Sequence, residues 1–236
     1  PLDRPSGLYF ISILPDGDRE FTYYRAGSAA SCLSPEDIDP TYIGKTRFLY
    51  ASGISQAISP SSRAAVLKAF QIAKEAGVTV AFDTNLRLKL WSLEDARAAL
   101  DEILPYVDIM LPTAPEETRQ LFDTDDPIKV IRMLWDRGVD MVAVKCGEDG
   151  VKLGVNREIH AISAYTPEIV TDTSGAGDVF NGGLLYGLSI GMSPVEATRL
   201  GTIIAGLKIR GRGATFSIPR RKEVFEIYVR KFGPQT

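Results

Sequence analysis

From about Arg47 onward, short apolar runs alternate with stretches of helical periodicity, the pattern expected of a parallel sheet covered on both faces. Residues 48–51 read as a strand, 61–76 as a helix stopped by Gly77, and 78–83 as the next strand. Ser92 with Asp95 opens a helix reaching Leu104, residues 108–111 read as a strand, and 127–137 as a helix stopped by Gly138. A strand at 141–144 follows. Turn signals at Asp149-Gly150 and at Asn156 predict antiparallel strands at a sheet edge between residues 139 and 162. An apolar helix follows Gly177, a second is opened by Ser193-Pro194, and a last one runs over about 221–231. The amino-terminal stretch breaks the pattern. Residues 7–14, a Pro15-Asp16-Gly17-Asp18 turn and residues 20–25 predict a β-hairpin.

Composition narrows the function classes. The 236 residues, 44% hydrophobic and 24% charged, suffice for one large α/β domain with a sizeable core. A balance of 27 basic against 30 acidic side chains, without a long basic run, argues against nucleic acid as a partner. No apolar stretch approaches membrane-spanning length, and the first residues do not resemble a signal peptide. Cys32 and Cys146 are too few for a disulfide framework or metal knuckle and point to a reduced, cytoplasmic setting. The single histidine, His160, lies in an alternating segment and reads as a solvent-facing strand residue rather than part of a metal cluster or triad.

The chemistry concentrates at Asp172-Thr173-Ser174-Gly175-Ala176-Gly177-Asp178-Val179-Phe180-Asn181-Gly182-Gly183. A small-residue turn opening a helix turns backbone N–H groups toward an anion, and the helix dipole adds partial positive charge there. Asp178, one residue beyond the turn, then stands beside a bound phosphate, where it can take a proton from an attacking hydroxyl. Acceptor activation and anion stabilisation would share one turn. Phe180 occupies the place of the third glycine of a dinucleotide fingerprint, and no Gly-x4-Gly-Lys-Ser/Thr run occurs. The bland alternative is a well-capped helix of an α/β protein.

This string resembles the carboxy-terminal signature of the ribokinase-like (PfkB) carbohydrate kinases, Asp-Thr-x-Gly-Ala-Gly-Asp-x-Phe followed by small residues. The resemblance implies a ribokinase-like three-layer α/β/α sandwich with a mostly parallel sheet and a β-lid over the sugar. Residues 1–32 would form a partial lid hairpin and its return to the core, and 33–236 the nucleotide-binding and catalytic domain. It also implies that Asp178 is the catalytic base and that the amides of Gly175, Ala176 and Gly177 form the anion hole. A family member carries roughly another eighty residues before Pro1, holding the first βα units and part of the lid, against usual domain lengths. Those units are expected to be missing here.

Tyr9, Tyr23 and Arg25 lie on the hairpin, and two phenols with a guanidinium suit a polar, anionic acceptor. The runs Gly7-Leu8-Tyr9, Tyr23-Tyr24-Arg25 and Asp83-Thr84-Asn85-Leu86-Arg87 resemble the 2-keto-3-deoxygluconate (KDG) kinases within the wider family. That likeness assigns sugar-acid contacts to Tyr9, Tyr23, Arg25 and Arg87. Cross-strand packing of the aromatics and surface positions for the arginines are the plainer alternatives.

Lys145-Cys146-Gly147-Glu148-Asp149-Gly150 resembles the family's Lys-x-Gly-x-x-Gly turn along ATP, which assigns nucleotide contacts to Lys145, Gly147 and Gly150. Lys145 either reaches a phosphate or ends its strand in solvent. Asn85 is placed near the phosphates, the Gly175 to Gly177 turn on the γ-phosphoryl, and Ala205 beside the base, near a Gly211 to Thr215 turn. Where relatives carry Asn-x-x-Glu, this chain reads Thr113-Ala114-Pro115-Glu116, so Glu116 is expected to order waters around Mg²⁺. The implied reaction is phosphorylation of the terminal hydroxyl of KDG by ATP with Mg²⁺. A monovalent-cation requirement and pairing of two copies through the lid are left open. Two alternatives remain: a kinase of a neutral sugar such as fructose or ribose, and a non-catalytic sugar-acid or nucleotide-binding module.

Overall fold

The computed structural model describes residues 3–13 and 19–233. The Pro15 to Asp18 turn expected from the sequence lies outside the described residues. These divide into two compact units, one within Pro1–Val80 and Asn85–Tyr106, the other within Ala81–Thr84 and Val107–Thr236. The unit that holds the hairpin thus extends well beyond residue 32.

In the first unit, β1 (Leu8–Ile13) pairs antiparallel with β2 (Arg19–Tyr24), setting Tyr9 opposite Tyr23 and Ile11 opposite Phe21. Residues opposite one another share a face, so the hairpin carries Tyr9, Ile11, Phe21 and Tyr23 on one side and Leu8, Phe10 and Tyr24 on the other. Then come α1 (Pro40–Ile43), β3 (Phe48–Ser52), α2 (Gly53–Ala57), α3 (Pro60–Glu75), β4 (Thr79–Asp83) and α4 (Leu93–Ile103). Helix α3 starts where Ser59 Oγ accepts the Ser62 N–H with Pro60 in its first turn, and Gly77 at φ +68° ends it. Val66, Ala69, Phe70 and Ala73 recur at helical spacing and are buried. Ser92 caps α4 through the Asp95 N–H, as its spacing predicted.

The second unit holds the end of β4, then β5 (Ile109–Met110), α5 (Glu116–Phe122), α6 (Pro127–Asp136), β6 (Met141–Lys145), β7 (Val151–Val155), β8 (Glu158–Ile162), α7 (Ala176–Ser189), α8 (Pro194–Lys208) and α9 (Arg221–Phe232). The main sheet is ordered β3-β4-β5-β6-β7-β8, with β4, β5 and β6 parallel and β7 and β8 antiparallel at the edge. This is a mixed sheet with flanking helices. Within residues 139–162, β6 closes the parallel part and β7 and β8 form the antiparallel edge that the turn signals predicted. Gly154 faces α6, where a Cβ would run into Ile131 and Trp135. Side chains alternate along a strand, so buried Val151 and Leu153 face the other way, and α8 also packs on β7.

Helices α7 and α8 meet through small residues. A Cβ on Gly187 would stand 2.8 Å from Ala197 Cβ, and one on Gly201 would stand 2.9 Å from the Phe180 ring. Behind them Leu200, Ile203, Leu207, Val224, Ile227 and Tyr228 close a core with α9. This packing fixes the direction in which α7 presents its amino-terminal turn. Among the described residues no helix is long and apolar enough to cross a membrane.

Candidate active site

The amino terminus of α7 is built as the sequence anticipates. Gly175 caps it at φ +73°, a left-handed conformation that glycine adopts without strain, and a Cβ there would press within 3.3 Å of Ala214 Cβ. Ala176, Gly177 and Asp178 form the first turn, where N–H groups have no carbonyl one turn earlier in the helix. The Ala176 N–H instead donates to Thr173 O at 3.1 Å, closing the turn. Asp178 is exposed on that turn.

Beneath it lies a buried polar cluster at the carboxyl ends of parallel strands, where open α/β sheets bind ligands. Lys145 Nζ, at the end of β6, stands 3.8 Å from where a Gly177 Cβ would be. It donates to Asp83 Oδ1 at 3.0 Å and lies 3.5 Å from Asn181 Oδ1. The Asn181 amide, one turn after Asp178 on α7, donates to the other Asp83 oxygen at 2.7 Å. Asp83 is thus bridged from two sides. Thr84 Oγ1 and the Thr113 N–H both donate to Glu117 Oε2, at 2.5 and 3.0 Å. Burial pushes the Glu117 carboxyl above its ordinary range, and the neighbouring Asp83 charge pushes it further.

Two expectations are refined by this cluster. Lys145 does not end its strand in solvent, because its ammonium is held inside by Asp83. Glu116 is exposed, whereas the next residue, Glu117, is 8% exposed and joined to the cluster. Successive helix positions differ by about 100°, so neighbouring glutamates cannot share a face. Either carboxylate is an oxygen donor of the kind that Mg²⁺ takes alongside water and nucleotide phosphates.

A second junction secures the turn from the other side. Asp172 Oδ1 accepts the Ser174 N–H and Oδ2 accepts the Gly213 N–H, each at 2.9 Å. These bonds, the Ser174 one foremost, hold its carboxyl well below the usual carboxylate range. The 211–215 loop is thereby tied to the glycine turn. Gly147 and Gly150 take φ +57° and +84°, and a Cβ on Gly150 would strike Ile162 O, so both glycines have a backbone reason independent of ligand. Ala205 is half-buried on α8, its carbonyl accepting the Ile209 N–H.

The first unit carries the acceptor residues. The Arg25 guanidinium lies 5.6 and 5.4 Å from the Tyr9 and Tyr23 ring centres, and Phe21 stacks beside Tyr23. Arg25 Nε is buried with no hydrogen-bond partner among the described residues. Asn85 is half-buried at φ +31°. Arg87 is exposed, its Nη1 donating to Leu86 O at 2.8 Å. Its loop is tethered to the hairpin because Lys89 Nζ donates to Phe21 O at 3.1 Å. Tyr9, Tyr23, Arg25 and the Arg87 loop are therefore brought together within one unit.

Sequence reasoning did not single out Asp83, Asn181, Glu117, Asp172, Lys208 or Lys89 for roles. Asn181 had a signal, three residues after Asp178 on the same helix face.

A glycine-capped helix start with a first-turn aspartate, set at the carboxyl ends of a parallel sheet, is the framework of an α/β phosphotransferase. The pfkB family carbohydrate kinases match residues 2–221 of the chain, which belongs to that family. It is 32% identical over 226 residues to 2-dehydro-3-deoxygluconokinase of Thermoproteus tenax, covering 94% of this chain and 68% of that protein. Fructokinase-1 of Zea mays is 30% identical, covering 94% and 71%. A putative ribokinase II of E. coli, solved in complex with ATP and Mg²⁺, superposes with a TM-score of 0.86 at 26% identity, covering 97% of this chain and 72% of that one.

Proposed function

We propose that this carbohydrate kinase phosphorylates the terminal hydroxyl of 2-keto-3-deoxygluconate with ATP. The observation that carries the reading is Arg25, held between Tyr9 and Tyr23 with its buried Nε unpartnered among the described residues. A guanidinium fork fixed by two rings suits a carboxylate, and the ring hydroxyls suit a polyol. Arg87 adds a second cation in the same unit, one that a neutral sugar does not require.

In the reaction the acceptor hydroxyl oxygen attacks the γ-phosphorus in line, its proton passes to the Asp178 carboxylate, and ADP leaves with the electrons of the broken bond. The first-turn amides of α7 stabilise the charge on the transferring phosphoryl. Mg²⁺, when bound with the nucleotide, neutralises phosphate charge, and Glu117 or Glu116 orders its waters. Asn85, Lys145, Gly147, Gly150 and Ala205 are proposed to line the nucleotide, Lys145 from beneath the Gly177 turn. A cytoplasmic location, where ATP is available, and pairing of two copies over Leu8, Phe10 and Tyr24 complete the proposal.

The test is ADP formation by the full chain with Mg²⁺-ATP and KDG, fructose or ribose, run beside Asp178→Asn. Turnover with KDG that is lost in the variant supports the reading. Preference for fructose would favour the neutral-sugar alternative, for which the similarity to a fructokinase speaks. Absence of turnover from folded protein would leave a binding module.

A further inference from the structure

One buried charge in the second unit takes no part in the chemistry above. Lys208, the last residue of α8, is 0% exposed. An ammonium taken out of water is costly unless oxygens meet it. Its Nζ donates to the Asp172 carbonyl at 2.9 Å, at the carbonyl end of a helix, where the dipole favours a cation. The Asp172 carboxylate adds an opposite charge, which the ammonium helps keep ionised.

Asp172 is a junction with every polar group engaged. Its N–H donates to Ile209 O at 3.1 Å, its carbonyl accepts Lys208, and its two carboxylate oxygens accept the Ser174 and Gly213 N–H groups. Thr171 N–H donates to the same Ile209 carbonyl at 2.8 Å. The chain entering the glycine turn is thus seated on the end of α8, with Lys208 inserted under it. Ala214, next to Gly213, closes against Gly175.

We propose that Lys208 is a positioning residue for phosphoryl transfer. Its ammonium is a fixed internal cation that holds the Asp172 carbonyl and carboxylate, and through the Ser174 N–H bound to that carboxylate sets the position of the Gly175 to Gly177 turn that faces the transferring phosphoryl. It touches neither nucleotide nor acceptor. The inference rests on the kinase reading for its kinetic consequence, but not for its structural one.

Lys208→Met and Lys208→Ala separate charge from packing. Methionine keeps most of the side-chain volume and removes only the charge, and the Asp172 carboxylate keeps its Ser174 and Gly213 N–H donors while its carbonyl loses the ammonium. The expected result is a folded Lys208→Met protein whose thermal midpoint is lowered, because the Asp172 carbonyl loses its donor, whose kcat falls at least tenfold, and whose KM for the sugar is unchanged. In Lys208→Ala, ammonium or methylammonium is expected to restore kcat saturably, while methanol does not. Amide hydrogen exchange at Ser174, Gly177 and Gly213 is expected to quicken in both variants. Wild-type kcat in Lys208→Met, or loss of kcat with no amine rescue of the alanine variant, overturns the proposal. Should the wild-type chain itself show no turnover, the kinase reading fails, and amide exchange alone decides: unchanged exchange at those three amides overturns the positioning role. If Lys208→Met does not fold, the amine titration of Lys208→Ala decides between the two outcomes.

Discussion

The Lys145 ammonium and the Asp83 carboxylate meet at 3.0 Å with their side chains 10% and 3% exposed. They come from the ends of two parallel strands, β6 and β4, and the Asn181 amide braces Asp83 from α7. The pair therefore links the strand ends to the helix that carries Asp178. Removing one member leaves the other charge buried and uncompensated, whereas an apolar pair of similar volume does not. Asp83→Leu alone is expected to destabilise the protein by about 3–5 kcal/mol. The double variant Asp83→Leu with Lys145→Met should recover much of that loss. Urea unfolding of the four proteins in the cycle measures the coupling. Simple additivity of the two single changes would show that the pair is not a unit.

Glu117 titrates in the opposite sense from a salt-bridged carboxylate. Its folded-state pKa is raised, first by burial and then by Asp83, so the native state holds the proton more tightly than the unfolded chain. Its contribution favours folding below the ordinary glutamate pKa and is lost as pH rises through the raised value. Each unit of such a shift corresponds to about 1.4 kcal/mol. Glu117→Gln keeps an oxygen for Thr84 and the Thr113 N–H and cannot ionise. Relative to wild type it should gain stability as pH rises from 4 to 8, read as a growing difference between the two thermal midpoints. Denaturation of both proteins at the two pH values tests this. A gain that is equal at both, or larger at pH 4, would sink the assignment.

Arg25 separates acceptor recognition from the chemical step. If its fork binds a carboxylate, Arg25→Met removes charged hydrogen bonds that are each worth about 1.5–3 kcal/mol. The KM for the sugar acid should rise by about 10- to 100-fold, while the KM for ATP stays put. Arg25→Lys should recover only part of the loss, since a point charge cannot reproduce a bidentate fork stacked on Tyr9 and Tyr23. Steady-state kinetics with both substrates varied is the measurement. An equal rise in the two KM values would mean the hairpin had merely been loosened.

What could be read from the chain depends on range. Capping residues act within a turn, so Ser92 and Ser193 mark helices that the structure contains, and Gly77 and Gly138 mark helix ends. The glycine turn before Asp178 is equally local, which is why its placement at a helix start was legible. The hairpin followed from two short apolar strands about a turn signal, and its register came only with the structure. Partners distant in sequence were not legible. A lysine at a strand end is ordinarily exposed, and only Asp83, 62 residues earlier, makes the burial of Lys145 tolerable. The choice between Glu116 and Glu117 turns on where α5 begins, and no apolar period announces so short a helix. Lys208 sits among apolar α8 positions, and its reason for being there lies 36 residues away at Asp172.

The α7–α8 contact gives a pair of glycine substitutions with opposite signs. Gly182 and Gly187 both lie within α7, and alanine favours a helix over glycine by about 0.5–1 kcal/mol. A Cβ on Gly182 meets nothing within 4 Å, so Gly182→Ala should stabilise by roughly that amount. At Gly187 the same methyl would come within 2.9 Å of the Ala197 backbone and 2.8 Å of its Cβ, atoms that cannot swing aside. Overpacking of this kind costs about 1–3 kcal/mol and outweighs the helical gain. Gly187→Ala should therefore destabilise, and because α7 must tilt or slide to admit the methyl, it should also lower kcat by displacing the turn that carries Asp178. Gly182→Ala should leave that turn in place. Thermal midpoints and kcat for the two variants decide the matter, and equal stabilisation by both would show that α8 yields without resistance and does not fix the direction of α7.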